Sequence, residues 1–224
     1  MPGVTMTGVQ LVQFNDLMDG RDGALGRCGH HRAEVARGLA IHQVAPAVTG
    51  HRDLEVVLHS EHGILGMGGA PAPGNEDYDL INAGKQPVTL LPRGAYFHHV
   101  DSFAMMRGGH LDISVLGAFQ VSATGDLANW STGDAGAIAS VGGAMDLAVG
   151  AKQSWVMMDL LTKQGASKVV ERCTYPLTGI GCVKRIYSDL ATLECTAQGL
   201  RLIDKVEGLS RAELERLVGL PVQA

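Results

Sequence analysis

The stretch that best combines a reactive side chain with room for a ligand is segment 60–63, with the sequence Ser-Glu-His-Gly. The apolar, β-branched run before it, Val56–Leu58, predicts a buried strand. Glycines at positions 63, 66, 68 and 69 predict a flexible loop after it. Ligands of open α/β sheets bind outside the carboxyl ends of the strands. Glu61 is therefore a candidate nucleophile or general base, and a solvated loop glutamate is the alternative.

Two further segments could face a developing negative charge. Residues 112–116 predict a strand, and the backbone N–H groups of Gly117 and Ala118, which follow it, could face an anion. A plain turn is the simpler interpretation of that pair. The pair Gly142-Gly143 precedes a predicted helix over 144–151, whose N-terminus could also bind an anion. Neither segment matches the dinucleotide-binding fingerprint or the Walker motif.

The elements that must position these residues are short strands separated by glycine-rich turns. Strands are predicted at 88–91, 154–158 and 185–190, and a hairpin at 191–206. A short helix is predicted at 101–107, and segment 125–130 as a turn. The clearest helix spans 210–218, with Ser210 as the N-cap, Glu213 completing a capping box and Gly219 at its end. We find no linker and no repeat, so the chain is predicted to form one domain.

Composition excludes several classes of protein. The 224 residues carry a net charge of −5 without a basic cluster, which argues against nucleic acid as a partner. No apolar run approaches the length of a membrane span, and the N-terminus lacks the layout of a signal peptide. The four cysteines have no paired spacing, which predicts free thiols in the cytoplasm. Cys28, His30 and His31 lack the recurrent spacing of metal ligands, so no metal site is predicted.

Seven short motifs, in one order between residue 55 and the C-terminus, resemble the B subunit of class I CoA-transferases. Each motif alone is weak, but their number and order make the resemblance specific. They are Ser60–Gly63, Asp79–Lys85, Phe103–His110, Leu116–Gln120, Gly125–Trp130, Gly142–Asp146 and Thr174–Gly179.

The resemblance implies a fold, a domain division and partners. The fold is an open, mostly parallel α/β sheet layered with helices, of the CoA-transferase or ribose-5-phosphate isomerase-like type. Residues 46–224 would form the B-subunit domain, and residues 1–45 a divergent N-terminal segment. The partner would be the A subunit of the CoA-transferase, in a hetero-oligomer with two copies of each. The CoA thioester is a substrate, so no cofactor is expected.

The resemblance also implies roles for individual residues. Glu61 matches the nucleophile, which would form a glutamyl-CoA thioester. Gly117 and Ala118 match the backbone that faces the acyl-glutamyl group. Lys85 and Asn82 match positions near the CoA or the substrate; from its sequence alone, Lys85 is a point charge that could reach a phosphate, with an exposed lysine as the alternative.

The choice of acid is indicated by the segment Gly94–His99, which ends in two adjacent histidines. With segment 131–141, it resembles the members that transfer CoA from succinyl-CoA to 3-oxoadipate, rather than those that use acetoacetate. If the histidines lie in an extended segment after a Gly94-Ala95 turn, only one of His98 and His99 faces the acyl pocket. The alternative is that both histidines are surface residues.

Two departures from the family keep other functions open. The family's asparagine after the nucleophile is His62 here, and segment 39–46 lacks the asparagine and both glycines of the family's N-terminal loop. The N-terminal departure leaves a non-catalytic subunit as one alternative. An acetoacetate-specific enzyme is another, against which the His98-His99 pair argues.

Overall fold

The computed structural model describes residues 56–82, 86–133 and 142–224, together with the backbone of residues 10–14. The predictions for Lys85, for segment 39–46 and for most of segment 131–141 lie outside the described residues. No helix in the described ranges has the length and apolar character that crossing a membrane would require.

The described strands form one ten-stranded sheet and one three-stranded sheet. The strands are β1 Gln10–Phe14, β2 Val56–Ser60, β3 Ile64–Met67, β4 Leu90–Tyr96, β5 Ile113–Leu116, β6 Gln120–Ser122, β7 Leu127–Ala128, β8 Gln153–Met157, β9 Val169–Val170, β10 Val183–Tyr187, β11 Ala191–Thr196, β12 Gly199–Lys205 and β13 Val222–Gln223. The large sheet has the order β13-β12-β11-β10-β8-β5-β1-β2-β3-β4, and the small one the order β7-β6-β9.

The centre of the large sheet is parallel. β2, β1, β5, β8 and β10 pair side by side in the same direction, and β3, β4, β11 and β12 continue the sheet in antiparallel hairpins. The pairing of β3 with β4 contains a bulge between Leu65 and Met67. Ile113–Leu116 is buried along its whole length, which is typical of a strand covered on both faces. The predicted α/β fold with parallel strands is confirmed.

Alternate residues of the central strands face two separate cores. Trp155 and Met157 belong to one apolar cluster, and Val156, between them, belongs to the other. The described helices, α1 (His99–Arg107), α2 (Ala144–Gly150) and α3 (Arg211–Val218), all contribute to the cluster on the Val156 face. That face of the sheet therefore carries the three described helices.

The helix ends agree with the sequence prediction. Ser210 and Glu213 form a reciprocal capping box at the start of α3, and Gly219 ends it in the left-handed conformation. Gly108 ends α1 as expected. α1 itself begins two residues earlier than predicted, because His98 caps it.

Three local predictions are wrong. Residues 64–67 form β3 and not a flexible loop, because Ile64 and Met67 bury their side chains against β2 and β4. The predicted Gly94-Ala95 turn lies inside β4, where Gly94 packs closely beside Gly66. The predicted turn at 125–130 contains β7, which pairs with β6.

Candidate active site

Glu61 lies in a tight turn between β2 and β3, at the carboxyl edge of the parallel strands. The Gly63 N–H donates to the Ser60 carbonyl at 3.0 Å, and the Phe97 N–H donates to the Gly63 carbonyl at 3.0 Å. Gly63 has φ +104°, and a Cβ there would lie 2.0 Å from the Phe97 carbonyl oxygen, so only glycine fits. The turn is thus a fixed part of the sheet.

His62, the departure from the family pattern, is accommodated in this turn. Its backbone N–H donates to the Ser60 hydroxyl at 3.3 Å. Its side chain is exposed, so the volume that histidine adds over asparagine extends into solvent. The backbone path of the turn is therefore determined by Ser60 and Gly63 and does not depend on the side chain at position 62.

The Glu61 carboxylate packs against the start of α2. Its Oε2 atom is buried, and a Cβ added at Gly143 would lie 2.6 Å from it. The same Cβ would lie 2.9 Å from Cζ of Phe103 on α1. Glycine at position 143 therefore provides the space in which the carboxylate and the Phe103 ring meet. The sequence indicates an anion at this glycine pair, and the carboxylate found there is the chain's own.

The first turn of α1 contacts the backbone around Glu61. The Nδ1 atom of His99 lies 3.0 Å from the Glu61 carbonyl oxygen. The Ser102 hydroxyl donates to the Ser60 carbonyl at 3.2 Å and lies 3.2 Å from Nε2 of His59. Both His59 and Ser102 are buried.

The two predicted substrate histidines have different surroundings. Nδ1 of His98 accepts the Val100 N–H at 3.2 Å as the N-cap of α1. The ring of His99 packs against Phe103, with centroids 4.7 Å apart. The two residues form a helix start and not an extended segment, so the argument that they point in opposite directions does not apply. Both histidines lie on the side of the sheet where Glu61 emerges.

Two titratable groups beside the site have pKa values that are shifted by their surroundings. Burial lowers the pKa of His59 to about 4, so its ring is neutral at pH 7. The hydrogen bond and charge of Asp146 on α2 raise the pKa of Arg107 on α1. The Arg107 guanidinium also lies 5.4 Å from the centre of the Phe103 ring. This pair links α1 to α2 across the groups that line the carboxylate.

Gly117 and Ala118 lie at the same edge of the sheet as Glu61. They follow β5, which β1 separates from β2, so strand spacing places the two segments about 10 Å apart. Asn129 donates to the Gly117 carbonyl at 3.1 Å, and the Thr178 hydroxyl donates to the Asn129 amide oxygen. Asn129 and Thr178 are buried, so this network fixes the peptide that follows Gly117.

The other motif residues join the segments behind Gly117. The Gln120 side-chain oxygen accepts the Thr174 N–H at 2.8 Å and the Tyr175 N–H at 3.4 Å. With the Asn129 bonds, three of the seven motifs thus contact one another, although up to 55 residues separate the paired positions. The spacing of the motifs does not indicate these contacts.

Asn82 lies in the loop that joins the opposite ends of β3 and β4, away from the turn that carries Glu61. Its side-chain oxygen accepts the Gln86 N–H at 2.9 Å, and its own N–H donates to the Gln86 carbonyl at 2.9 Å. These bonds join the two described residues on either side of segment 83–85, which contains Lys85 in the sequence. The structure therefore gives Asn82 a role in shaping this loop, and its predicted substrate contact stays a prediction.

The sequence analysis did not identify His59, Ser102 or Phe103 as parts of the site. A pattern was present for Ser102 and Phe103, which follow His99 by three and four residues, the spacing of one helix face. No pattern in the sequence indicates a role for His59, because many histidines at strand ends are exposed to solvent.

Comparison with known proteins identifies the family. The sequence model described as coenzyme A transferase matches residues 38–208. The chain belongs to this family. It is 66% identical over 170 residues to the B subunit of the 3-oxoadipate CoA-transferase of Pseudomonas putida, covering 76% of this chain and 80% of that protein. It is 46% identical over 167 residues to the B subunit of the succinyl-CoA:3-ketoacid coenzyme A transferase of Helicobacter pylori, covering 75% and 79%.

A solved structure supports the fold alone. The chain resembles the acyl-CoA transferase YdiF of Escherichia coli O157:H7 with a TM-score of 0.63 and 18% identity. The match covers 98% of this chain and 40% of the YdiF chain. The CoA-transferase fold expected from the motifs is therefore confirmed, and this chain corresponds to less than half of that larger protein.

The buried His59 predicts a stability that depends on pH. Its pKa is lower in the folded chain than the ordinary 6.5, so the unfolded chain binds the extra proton first as the pH falls. This contribution to stability should be constant above pH 6.5 and decline between about pH 6.5 and pH 4. Urea unfolding should show a free energy of unfolding that falls from pH 7 to pH 5 by about 2 kcal/mol more in the wild type than in His59→Gln. Equal falls would contradict a neutral, buried His59.

Proposed function

We propose that this chain is the B subunit of a CoA-transferase that moves CoA from succinyl-CoA to 3-oxoadipate through Glu61. The observation that carries the proposal is the position of Glu61: a carboxylate in a fixed turn at the carboxyl edge of the parallel strands, with Oε2 against Gly143. The relative from P. putida, named as the B subunit of a 3-oxoadipate CoA-transferase, supports the choice of reaction.

The proposed reaction exchanges one thioester for another. A carboxylate oxygen of Glu61 attacks the thioester carbonyl carbon of succinyl-CoA, and the CoA thiolate leaves, giving a mixed anhydride. The thiolate then attacks the Glu61 carbonyl carbon of the anhydride, which forms a glutamyl-CoA thioester and releases succinate. The carboxylate of 3-oxoadipate repeats the two steps in reverse and leaves as 3-oxoadipyl-CoA. Covalent catalysis divides one difficult exchange into easier steps.

The sheet edge supplies groups suited to these intermediates. Each tetrahedral intermediate carries a negative oxygen, which backbone N–H groups can stabilise. We assign that role to the Gly117-Ala118 segment, whose position is fixed by Asn129. Lys85 is kept as a contact of the CoA moiety and Asn82 as a residue that shapes the loop next to it. The remote part of CoA could then contribute binding energy to the reacting centre.

The tautomers of the two histidines favour His98 for recognition of the acid. Because Nδ1 of His98 accepts a backbone N–H, its neutral ring carries the proton on Nε2, which can donate to a carboxylate. His99 uses Nδ1 as the donor to the Glu61 carbonyl, so its neutral Nε2 is an acceptor. 3-Oxoadipate has a second carboxylate that acetoacetate lacks. We therefore assign this carboxylate to His98.

We further propose that an A subunit completes the active site. The relatives from P. putida and H. pylori are both named as B subunits. Tyr96 and Val100, on either side of the histidine pair, are 62% and 63% exposed. An apolar surface beside the reacting group suits a partner that closes the site. Two copies of each subunit would be the simplest closed arrangement.

Glu61 should become covalently linked to CoA. When the chain is co-expressed with its A subunit, succinyl-CoA without an acceptor acid should add a CoA-sized mass to the peptide that contains Glu61. Glu61→Gln should give no adduct, and neither should the chain by itself. Full turnover by Glu61→Gln, or an adduct on another residue, would overturn the mechanism. Turnover by the single chain would overturn the need for the A subunit.

The space at Gly143 should control the reactivity of Glu61. Gly143 has φ −69°, so alanine is acceptable to the backbone, and the atoms nearest to the added methyl group are Oε2 of Glu61 and the ring of Phe103. A misplacement of about 1 Å can cost about 100-fold in rate, so we expect Gly143→Ala to slow adduct formation by about 10- to 100-fold. Gly142→Ala is the matched control, because its added Cβ would meet nothing within 4 Å. Equal rates for the two variants would contradict the close contact.

The choice of acid should depend on His98. Serine is a good N-cap, so His98→Ser removes the imidazole and keeps the start of α1. A hydrogen bond to a charged group contributes about 1.5–3 kcal/mol, so kcat/KM for 3-oxoadipate should fall by about 10- to 150-fold. Turnover of acetoacetate, measured in parallel, should stay within about threefold, a change of less than 1 kcal/mol. Equal losses for both acids would show that His98 supports the helix and does not select the acid.

A further inference from the structure

The two peptide groups on either side of the Glu61 Cα both accept hydrogen bonds from α1. The Ser60 carbonyl accepts from the Ser102 hydroxyl, and the Glu61 carbonyl lies 3.0 Å from Nδ1 of His99. The turn is already closed by the bonds from Gly63 and Phe97 described above. These two contacts therefore add little to the path of the chain, and they restrict the rotation of the backbone at Glu61.

Ser102 has its donor direction set by its neighbours. A hydroxyl has one proton, and here Ser102 donates it to the Ser60 carbonyl. The contact with Nε2 of His59, at 3.2 Å, then requires the proton to be on Nε2, which donates to the Ser102 oxygen. His59 is held in turn by stacking on Phe97, with ring centroids 5.7 Å apart and an interplanar angle of 23°. The relay runs from His59 through Ser102 to Ser60.

α1 also lines the carboxylate itself. Phe103 is the residue after Ser102. A Cβ added at position 143 would meet both its ring and Oε2 of Glu61. One helical turn thus contacts the nucleophile at its backbone and beside its carboxylate. A displacement of α1 would move all of these contacts together.

We propose that Ser102, oriented by His59, and His99 are positioning residues that fix the backbone of Glu61 and thereby the direction of its carboxylate. The inference rests on the proposed role of Glu61 as the nucleophile. In that role the side chain must serve as carboxylate, anhydride and thioester in turn, and each state is attacked from a defined direction. Fixing both flanking peptides keeps the side-chain carboxyl carbon of Glu61 in one place through the cycle.

The test is the single-turnover rate of adduct formation on Glu61, measured with succinyl-CoA in the complex with the A subunit. We expect Ser102→Ala to lower this rate by about 10- to 100-fold while the Kd of succinyl-CoA changes by less than about threefold, because positioning acts on the reaction and not on binding. Ser154→Ala is the matched control. Ser154 is also buried, donates to a backbone carbonyl (Ala148, 2.9 Å) and contacts one polar side chain (Ser114, 2.9 Å). It should keep the wild-type rate.

Two further variants separate the relay from a general loss of packing. His59→Gln keeps a side-chain N–H, and His59→Leu does not, so the glutamine variant should retain more of the rate. In the Ser102→Ala background the difference between the two should disappear, because the relay is already broken. His99→Ala changes an exposed residue and should also slow the adduct by about tenfold, with His99→Gln slower than the wild type by less.

The outcomes distinguish the two proposals. Absence of a Glu61 adduct in the wild type would overturn the proposed function. A wild-type adduct, with Ser102→Ala and His99→Ala no slower than Ser154→Ala, would overturn the positioning role alone. A weaker Kd with an unchanged adduct rate would do the same.

Discussion

The parallel pairing of β1 with β2 on one side and β5 on the other is the constraint on which the site depends. It sets the carboxyl ends of β2 and β5 at one edge, with a single strand between them. Glu61 and the Gly117-Ala118 segment therefore lie at the same edge of the sheet, about 10 Å apart. β1 belongs to the part of the sequence that departs most from the family motifs, and yet it occupies the centre of the sheet. Pairing of the backbone tolerates this divergence, because ladder hydrogen bonds do not depend on side-chain identity.

The helices bring further side chains to this edge through close contacts. α1 and α2 meet above the turn of Glu61, and the Arg107–Asp146 pair links them. Such an exposed pair contributes little to stability by itself. Its effect is on geometry, since it keeps Phe103 and Gly143 beside the same carboxylate. Asn129 and Thr178 have the corresponding role behind Gly117, where a buried amide satisfies the carbonyl of the peptide.

The features that could be predicted from the sequence are those determined by neighbouring residues in the chain. The strand before Glu61, the capping box of α3 and the glycine at its end follow from the residues themselves. The seven motifs were sufficient for the family, and they indicated Glu61. The failures have one physical cause, which is contact between distant residues. Gly66 and Gly94 suggested a loop and a turn, but each permits the close approach of two strands. His59 and Ser102 are 43 residues apart, and no local pattern relates a histidine at a strand end to a serine in a helix.

The bulge between β3 and β4 has a consequence for association. β4 is the last strand of the large sheet among the described residues, and such a strand presents unpaired backbone groups. Pro92, in the middle of β4, has no N–H to donate, and Arg93 beside it has φ 72°, which turns the strand out of its regular pleat. A second chain therefore cannot extend the sheet by a regular ladder along β4. Among the described residues, this edge of the sheet is therefore unsuited to open-ended association through regular strand pairing.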